Sequence, residues 1–178
     1  MGALADARKA AAKIRRASGI ASLSGWTMGV FGAITLVGGV LGDVVSLVLG
    51  VGLCAAAWNE LRGGARLRRF DPSGARILGW NQIGVGVLIV AYAAWSLRMN
   101  LGSPALASVG GTTGDADMDA MVTDIAMMVT WGLYGGLIVV GIVVPGLTAL
   151  YYFSRETIVR AFVERTPGWV VDTLRAAG

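Results

Sequence analysis

The side chains able to do chemistry in this sequence are few and lie close together. Asn59 and Glu60 stand near the end of one apolar run, and Asn81 and Gln82 near the start of the next. A carboxylate among three carboxamides offers oxygen ligands and N–H donors at one level. That set suits a proton or cation site, or the mouth of a pore, with Glu60 as the charged ligand. The same four residues also suit a plainer purpose. Polar side chains that meet between helices in lipid act as hydrogen-bond glue, and a clamp of that kind is the commoner use.

Two further sets carry charge. Between the polar pairs lie Arg62, Arg66, Arg68, Arg69 and Arg76, against only Glu60 and Asp71 in the stretch Trp58–Gln82. Cations beside an apolar run bind anionic lipid headgroups, at about 1 kcal/mol each near the surface. They also fix which side of a membrane a loop occupies, and that needs no specific lipid. The second set is Asp115, Asp117 and Asp119. Alternate aspartates begin a calcium loop, and hard oxygen ligands suit that metal. The glycine and distal glutamate of such a loop are missing, so helix-start capping or a solvated acidic vestibule explains the run equally well.

The composition closes other routes. The chain has 178 residues, no histidine and one cysteine, Cys54, which falls inside an apolar run. An intrachain disulfide, the usual zinc sites and histidine-based catalytic dyads are therefore excluded. No nucleophile–base pair is visible, so no enzyme and no cofactor is expected. Net charge is +4. The basic clusters lack aromatic interleaving and adjoin hydrophobic runs, which favours anionic lipid over nucleic acid.

The elements that position these residues are long and apolar. Hydrophobic residues make up 55% of the chain and charged residues 15%, against roughly 45–50% and 25% in ordinary soluble domains. Four runs, about 20–41, 44–61, 77–97 and 125–153, are long enough for a span of about 20 residues. The expected fold is an all-α integral membrane protein with four transmembrane helices. A basic N-terminal helix occupies 1–18, the transmembrane domain 19–153, and further helices 154–178. In the N-terminal segment Leu4, Ala7, Ala11 and Ile14 make a weak apolar face, so its membrane affinity would come chiefly from charge. The apolar run that follows is too long for a signal peptide.

The joints are also legible. Asp43 is placed to cap the second helix after a very short Gly42-Asp43 link. Asp71-Pro72-Ser73-Gly74 has the residue order of a type I turn. Glycines at 25 and 29, and at 38 and 42, form two G-x-x-x-G pairs that predict close packing of the first helix. The fourth run exceeds a minimal span, and extension beyond the bilayer, tilt, or a kink or break at Pro145 would absorb the excess. The C-terminal Ile158, Val159, Phe162, Trp169, Val170 and Val171 are expected on the bilayer surface or on the loop between the second and third spans. Gly25-Trp26 and Gly79-Trp80 echo each other, too briefly to argue duplication.

Orientation follows from charge. Of the 15 Lys and Arg residues, Arg98 alone falls on the side opposite the termini and the 62–76 loop. The positive-inside rule then makes both termini cytoplasmic, with an extended cytoplasmic helical hairpin between spans two and three. Lys9 and Lys13 are the only lysines, and with the abundance of Ala and Gly this points to a GC-rich bacterium and its plasma membrane.

Two functional readings survive. One is an oligomeric channel or transport component moving ions or small solutes. No span carries a charge near its centre, so a path between subunits suits it better than one through a single subunit. The other is a non-transporting scaffold, a homo-oligomer or accessory subunit, whose cytoplasmic helices bind a partner protein and anionic lipid.

Overall fold

The computed structural model describes residues 2–101 and 116–176, all helical apart from tight joints. The helices are α1 (Gly2–Val40), α2 (Val44–Arg68), α3 (Pro72–Leu101), α4 (Ala116–Arg165) and α5 (Gly168–Ala176). Four of them, α1 to α4, are long and apolar enough to cross a membrane. The basic N-terminal segment is not a separate helix, since α1 runs unbroken from it into the first apolar run. Likewise α4 passes through Pro145 and continues without interruption to Arg165. Its 50 residues span about 75 Å at ~1.5 Å per residue, more than twice a hydrocarbon core of about 30 Å.

The first two joints share one construction. At the end of α1, Gly42 N–H bonds the Gly39 carbonyl and Asp43 N–H the Gly38 carbonyl. At the end of α2, Phe70 N–H bonds the Leu67 carbonyl and Asp71 N–H the Arg66 carbonyl. Both are Schellman motifs, which need a left-handed residue. Gly42 (φ 111) and Phe70 (φ 58) fill that position. The next residue in each case is an aspartate whose Oδ1 accepts from a backbone N–H in the first turn of the following helix, Val45 N–H at 3.0 Å and Ser73 N–H at 2.9 Å. One aspartate thus closes one helix and opens the next. At Asp43 the Ser46 hydroxyl also donates to the carboxylate and holds it below the usual carboxylate range. The Asp71-Pro72-Ser73-Gly74 turn is therefore the first turn of α3, with Pro72 at the position where a missing N–H costs nothing.

Two compact units divide the chain. The first comprises Met1–Val85 and Gly146–Gly178. Its apolar core lies at the charged ends of the helices. Ala7, Ala11, Ile14, Ala17 and Ala21 line one stripe of α1 and meet Leu67, Phe70, Leu78, Tyr152, Val159, Phe162, Val170 and Val171. The alanine face of the N-terminal segment therefore packs on protein. The C-terminal apolar residues divide, with Val159, Phe162, Val170 and Val171 buried and Trp169 exposed. Small residues let the elements close. Phe70 and Phe162 rings stack at 5.1 Å between centroids. Two arginines hold α5 in place, Arg15 donating to the Leu174 carbonyl at 2.6 Å and Arg175 to the Arg69 carbonyl at 2.9 Å. Each meets a carbonyl at the end of a helix, where the macrodipole is negative.

Below this core α1 and α2 run antiparallel with their backbones close. A Cβ at Gly25 would stand 2.9 Å from Leu61, one at Gly32 2.9 Å from Cys54 Sγ, and one at Gly39 2.5 Å from Leu47 Cα. Gly50 of α2 answers with 2.7 Å to Leu36. Gly29 and Gly38 have ordinary clearance, and Gly42 forms the turn. The seam therefore follows Gly25, Gly32 and Gly39 at heptad spacing, not the two G-x-x-x-G pairs, because a seven-residue repeat keeps one stripe against a partner helix.

The second unit covers Gly86–Pro145. Within it a Cβ on Gly86 would lie 2.8 Å from the Gly141 carbonyl oxygen. Pro145 lacks the N–H that would bond that carbonyl, so α3 approaches α4 at the point proline has altered. Asn100 Nδ2 donates to Tyr134 Oη at 3.1 Å.

Two predictions follow from these joints. Gly39→Ala should destabilise by about 1–3 kcal/mol through backbone clash, whereas Gly29→Ala should be neutral or gain up to ~1 kcal/mol of helix propensity. Thermal unfolding of both in detergent compares them, and equal effects would refute the heptad seam. At Phe70, truncation to Ala should cost about 3–5 kcal/mol of packing. Phe70→Gly should cost no more, because glycine relieves roughly 1–2 kcal/mol of left-handed strain.

Candidate functional site

Glu60 belongs to the buried stripe of α2, with Ala56, Ala57, Gly63, Gly64 and Leu67. Asn59 is one residue earlier, about 100° around the helix, and it is exposed. The polar layer read from the sequence therefore separates. Glu60 (0% exposed) and Gln82 (5%) meet inside the first unit, where Gln82 Nε2 donates to Glu60 Oε1. Asn81 turns instead to the backbone and donates to the Ala56 carbonyl at 3.0 Å. Asn59 lines an open cleft on the outside.

Two residues join Glu60 that sequence reading did not single out. Ser24 of α1 stands with its Oγ 3.5 Å from Glu60 Oε1, at the limit of a hydrogen bond. Gly25, beside it, lets α1 come this near, since a Cβ there would lie 3.1 Å from Glu60 Cβ. Tyr152 of α4 is 0% exposed, and its hydroxyl is within electrostatic range of the Glu60 carboxylate. Neither Glu60 Oε2 nor the Tyr152 hydroxyl finds a hydrogen-bond partner among the described residues. No basic side chain forms an ion pair with Glu60 among them. The result is a buried carboxyl fixed through one oxygen, with the other unengaged.

Nearby polar contacts are structural. Ser18 Oγ donates to the Gly64 carbonyl at 2.8 Å, and with Asn81 it ties α1 and α3 to α2. Buried carbonyls and hydroxyls so matched are stabilising at about 1 kcal/mol each.

The arginines also separate. Arg66 and Arg76 line the cleft with Asn59, Ser73, Trp80 and Asn81. Arg62, Arg68 and Arg69 are exposed. Of the aspartate run, Asp117 and Asp119 occupy the first turn of α4, and Asp115 lies outside the described residues. Among the described residues no three His, Cys, Asp or Glu side chains gather in a metal-binding group.

Fold and site together give an all-helical protein with four helices long and apolar enough to span a membrane and a carboxyl buried between α1, α2 and α3. Comparison with protein-family models, with curated proteins and with solved structures finds no match.

The two buried oxygens respond differently to substitution. Gln82→Leu removes the one close donor to Glu60 and should destabilise by about 1–3 kcal/mol, the cost of leaving a buried polar atom unmatched. Tyr152→Phe removes an unmatched hydroxyl and should leave stability unchanged or raised by up to ~1–3 kcal/mol. Unfolding temperatures in detergent give both values. A marked loss in Tyr152→Phe would mean that the hydroxyl has a partner.

Proposed function

We propose that this protein is an oligomeric transport component of a bacterial plasma membrane, in which Glu60 receives a proton or a small cation. The single observation behind the reading is the unengaged Oε2 of a carboxyl that is 0% exposed. Buried acceptors in folded proteins are nearly always matched. A clamp built only for packing would occupy both oxygens, whereas a site for a cation keeps one in reserve. Gln82 and Ser24 orient the carboxyl from α3 and α1, and Tyr152 places a hydroxyl in range from α4.

The asymmetry of basic residues supports cytoplasmic termini and a cytoplasmic 62–76 hairpin. Glu60 then sits toward the cytoplasmic end of its span. Apolar faces on every long helix leave room for association with further copies: Phe31, Val48, Val87 and Leu133, one on each, are all exposed. The alternative is a scaffold that transports nothing. The backbone clamps of Ser18 and Asn81 favour it, because they show polar residues here serving as packing glue.

Cation flux into proteoliposomes separates the two. Wild-type protein should raise proton or alkali-cation flux above that of empty vesicles. Glu60→Gln keeps the shape and should lower the flux at least tenfold without loss of assembly, measured by native mass in detergent. Vesicles no more permeable than empty ones, or a Glu60→Gln protein that conducts like wild type, would leave the scaffold reading standing.

A further inference from the structure

A second site lies outside the buried carboxyl and does not depend on it. An open cleft of ≈ 520 Å³ runs between α2 and α3, lined by Asn59, Arg66, Ser73, Arg76, Trp80 and Asn81. From the cleft, we infer that it binds the phosphate of an anionic phospholipid, with Arg66 and Arg76 as the anion ligands.

Chemistry at the charged end carries the first half of the argument. Arg66 and Arg76 approach from different helices, so one anion can be gripped from both sides. Among the described residues neither forms an ion pair. Arg66 is already oriented, its Nη1 donating to Ser73 Oγ at 3.2 Å. Asp71, the nearest acid in sequence, is turned away, its Oδ1 accepting the Ser73 N–H, and it does not line the cleft. Two guanidinium forks and a serine hydroxyl lining one cleft match the oxygens of a phosphate group.

The opposite end carries the second half. Gly84 closes the lining, with nothing within 4 Å of the position its Cβ would take. Beside it on α3 the apolar Ile83 is exposed. Trp80 stands between the two ends, 60% exposed, with Phe153 edge-on to its other side at 6.1 Å. Indole rings favour the headgroup level of a bilayer. The cleft therefore grades from arginine through amide and indole to an apolar helix face, in the order of phosphate, glycerol and acyl chain. A free phosphate would use only the first third of that gradient, which is why a lipid is the assigned ligand.

Titration of the full-length protein in detergent with phosphatidylglycerol, followed by intact-complex mass spectrometry, tests the assignment. Wild type should bind phosphatidylglycerol at lower concentration than phosphatidylcholine. The double variant Arg66→Gln/Arg76→Gln should weaken phosphatidylglycerol binding roughly tenfold or more. Arg66→Lys/Arg76→Lys keeps the charge and loses the forks, so it should fall between. That lysine pair keeps the test valid if the glutamine pair fails to fold. Arg8→Gln/Arg16→Gln, the same charge removed elsewhere, should leave binding near wild type. Equal loss from that control would overturn the proposal in favour of diffuse attraction. Unchanged binding in both cleft variants would overturn it outright. Displacement of the lipid by millimolar inorganic phosphate would show a free-anion site and refute the lipid assignment.

Discussion

A carboxyl removed from solvent must be met by donors, or it undermines the packing that encloses it. Glu60 imposes that condition on the first unit. It can be buried only if neighbouring helices bring N–H and O–H groups to it, and two do. Gln82 reaches it from α3, Ser24 from α1, and Tyr152 stands in electrostatic range from α4. The condition works backwards onto the glycines. Ser24 comes within 3.5 Å only because the adjacent Gly25 lets α1 lie against Glu60 Cβ and Leu61. Gly79, three residues before Gln82, lets the Phe153 ring press on α3, where a Cβ would sit 2.6 Å from Phe153. Small residues near the carboxyl are thus part of how it is held.

The distribution of apolar residues inverts that of a soluble domain. The compact core lies among the charged ends of the helices, around Phe70, Phe162, Ile14 and Val159, while the most hydrophobic stretches expose Val, Leu and Ile. The inversion is expected when the solvent changes along the chain. In lipid there is little gain from burying a leucine against another, so the spans pack through glycine contacts and keep their apolar faces outward. At the charged ends water returns, and an alanine stripe or a phenylalanine pair regains its usual drive to be buried. Phe70 shows how strong that drive is. Its ring fills the core from a left-handed position that glycine normally takes, so packing outweighs a local strain of about 1–2 kcal/mol.

How much of this could be read from the sequence depended on the type of signal. Uninterrupted apolar runs announced α1 to α4, because a run of that length is what a span requires. Asp43 and Asp71 announced their helix starts, since capping is a local interaction. The continuity of α4 beyond its apolar run was not legible. Ser154–Arg165 changes composition, yet the backbone continues in α4, and composition records solvent where helicity depends on propensity. The seam glycines were visible as small residues but assigned the wrong period, four in place of seven, because both spacings are present and only the facing helix selects one. Asn59, Glu60, Asn81 and Gln82 were all noticed, but adjacent residues on a helix point about 100° apart, and depth alone could not say which pair would meet. Ser24 and Tyr152 lacked any distinguishing pattern. One is an ordinary small residue, and the other sits beside Tyr151 in what reads as an interfacial aromatic belt.

That last confusion bears on function. Tyr151 and Tyr152 look equivalent in sequence and differ in burial. Tyr151 stacks under the Arg155 guanidinium at 4.5 Å, the ordinary behaviour of an interfacial aromatic. Tyr152 is sealed inside with an unmatched hydroxyl. If the interior were selected for packing alone, phenylalanine at 152 would fill the same space without a polar group to satisfy, and glutamine or leucine at 60 would avoid a buried carboxyl. A hydroxyl and a carboxyl oxygen that both go unmatched are costly twice over. Two such groups in one helical unit are therefore not what packing alone would select.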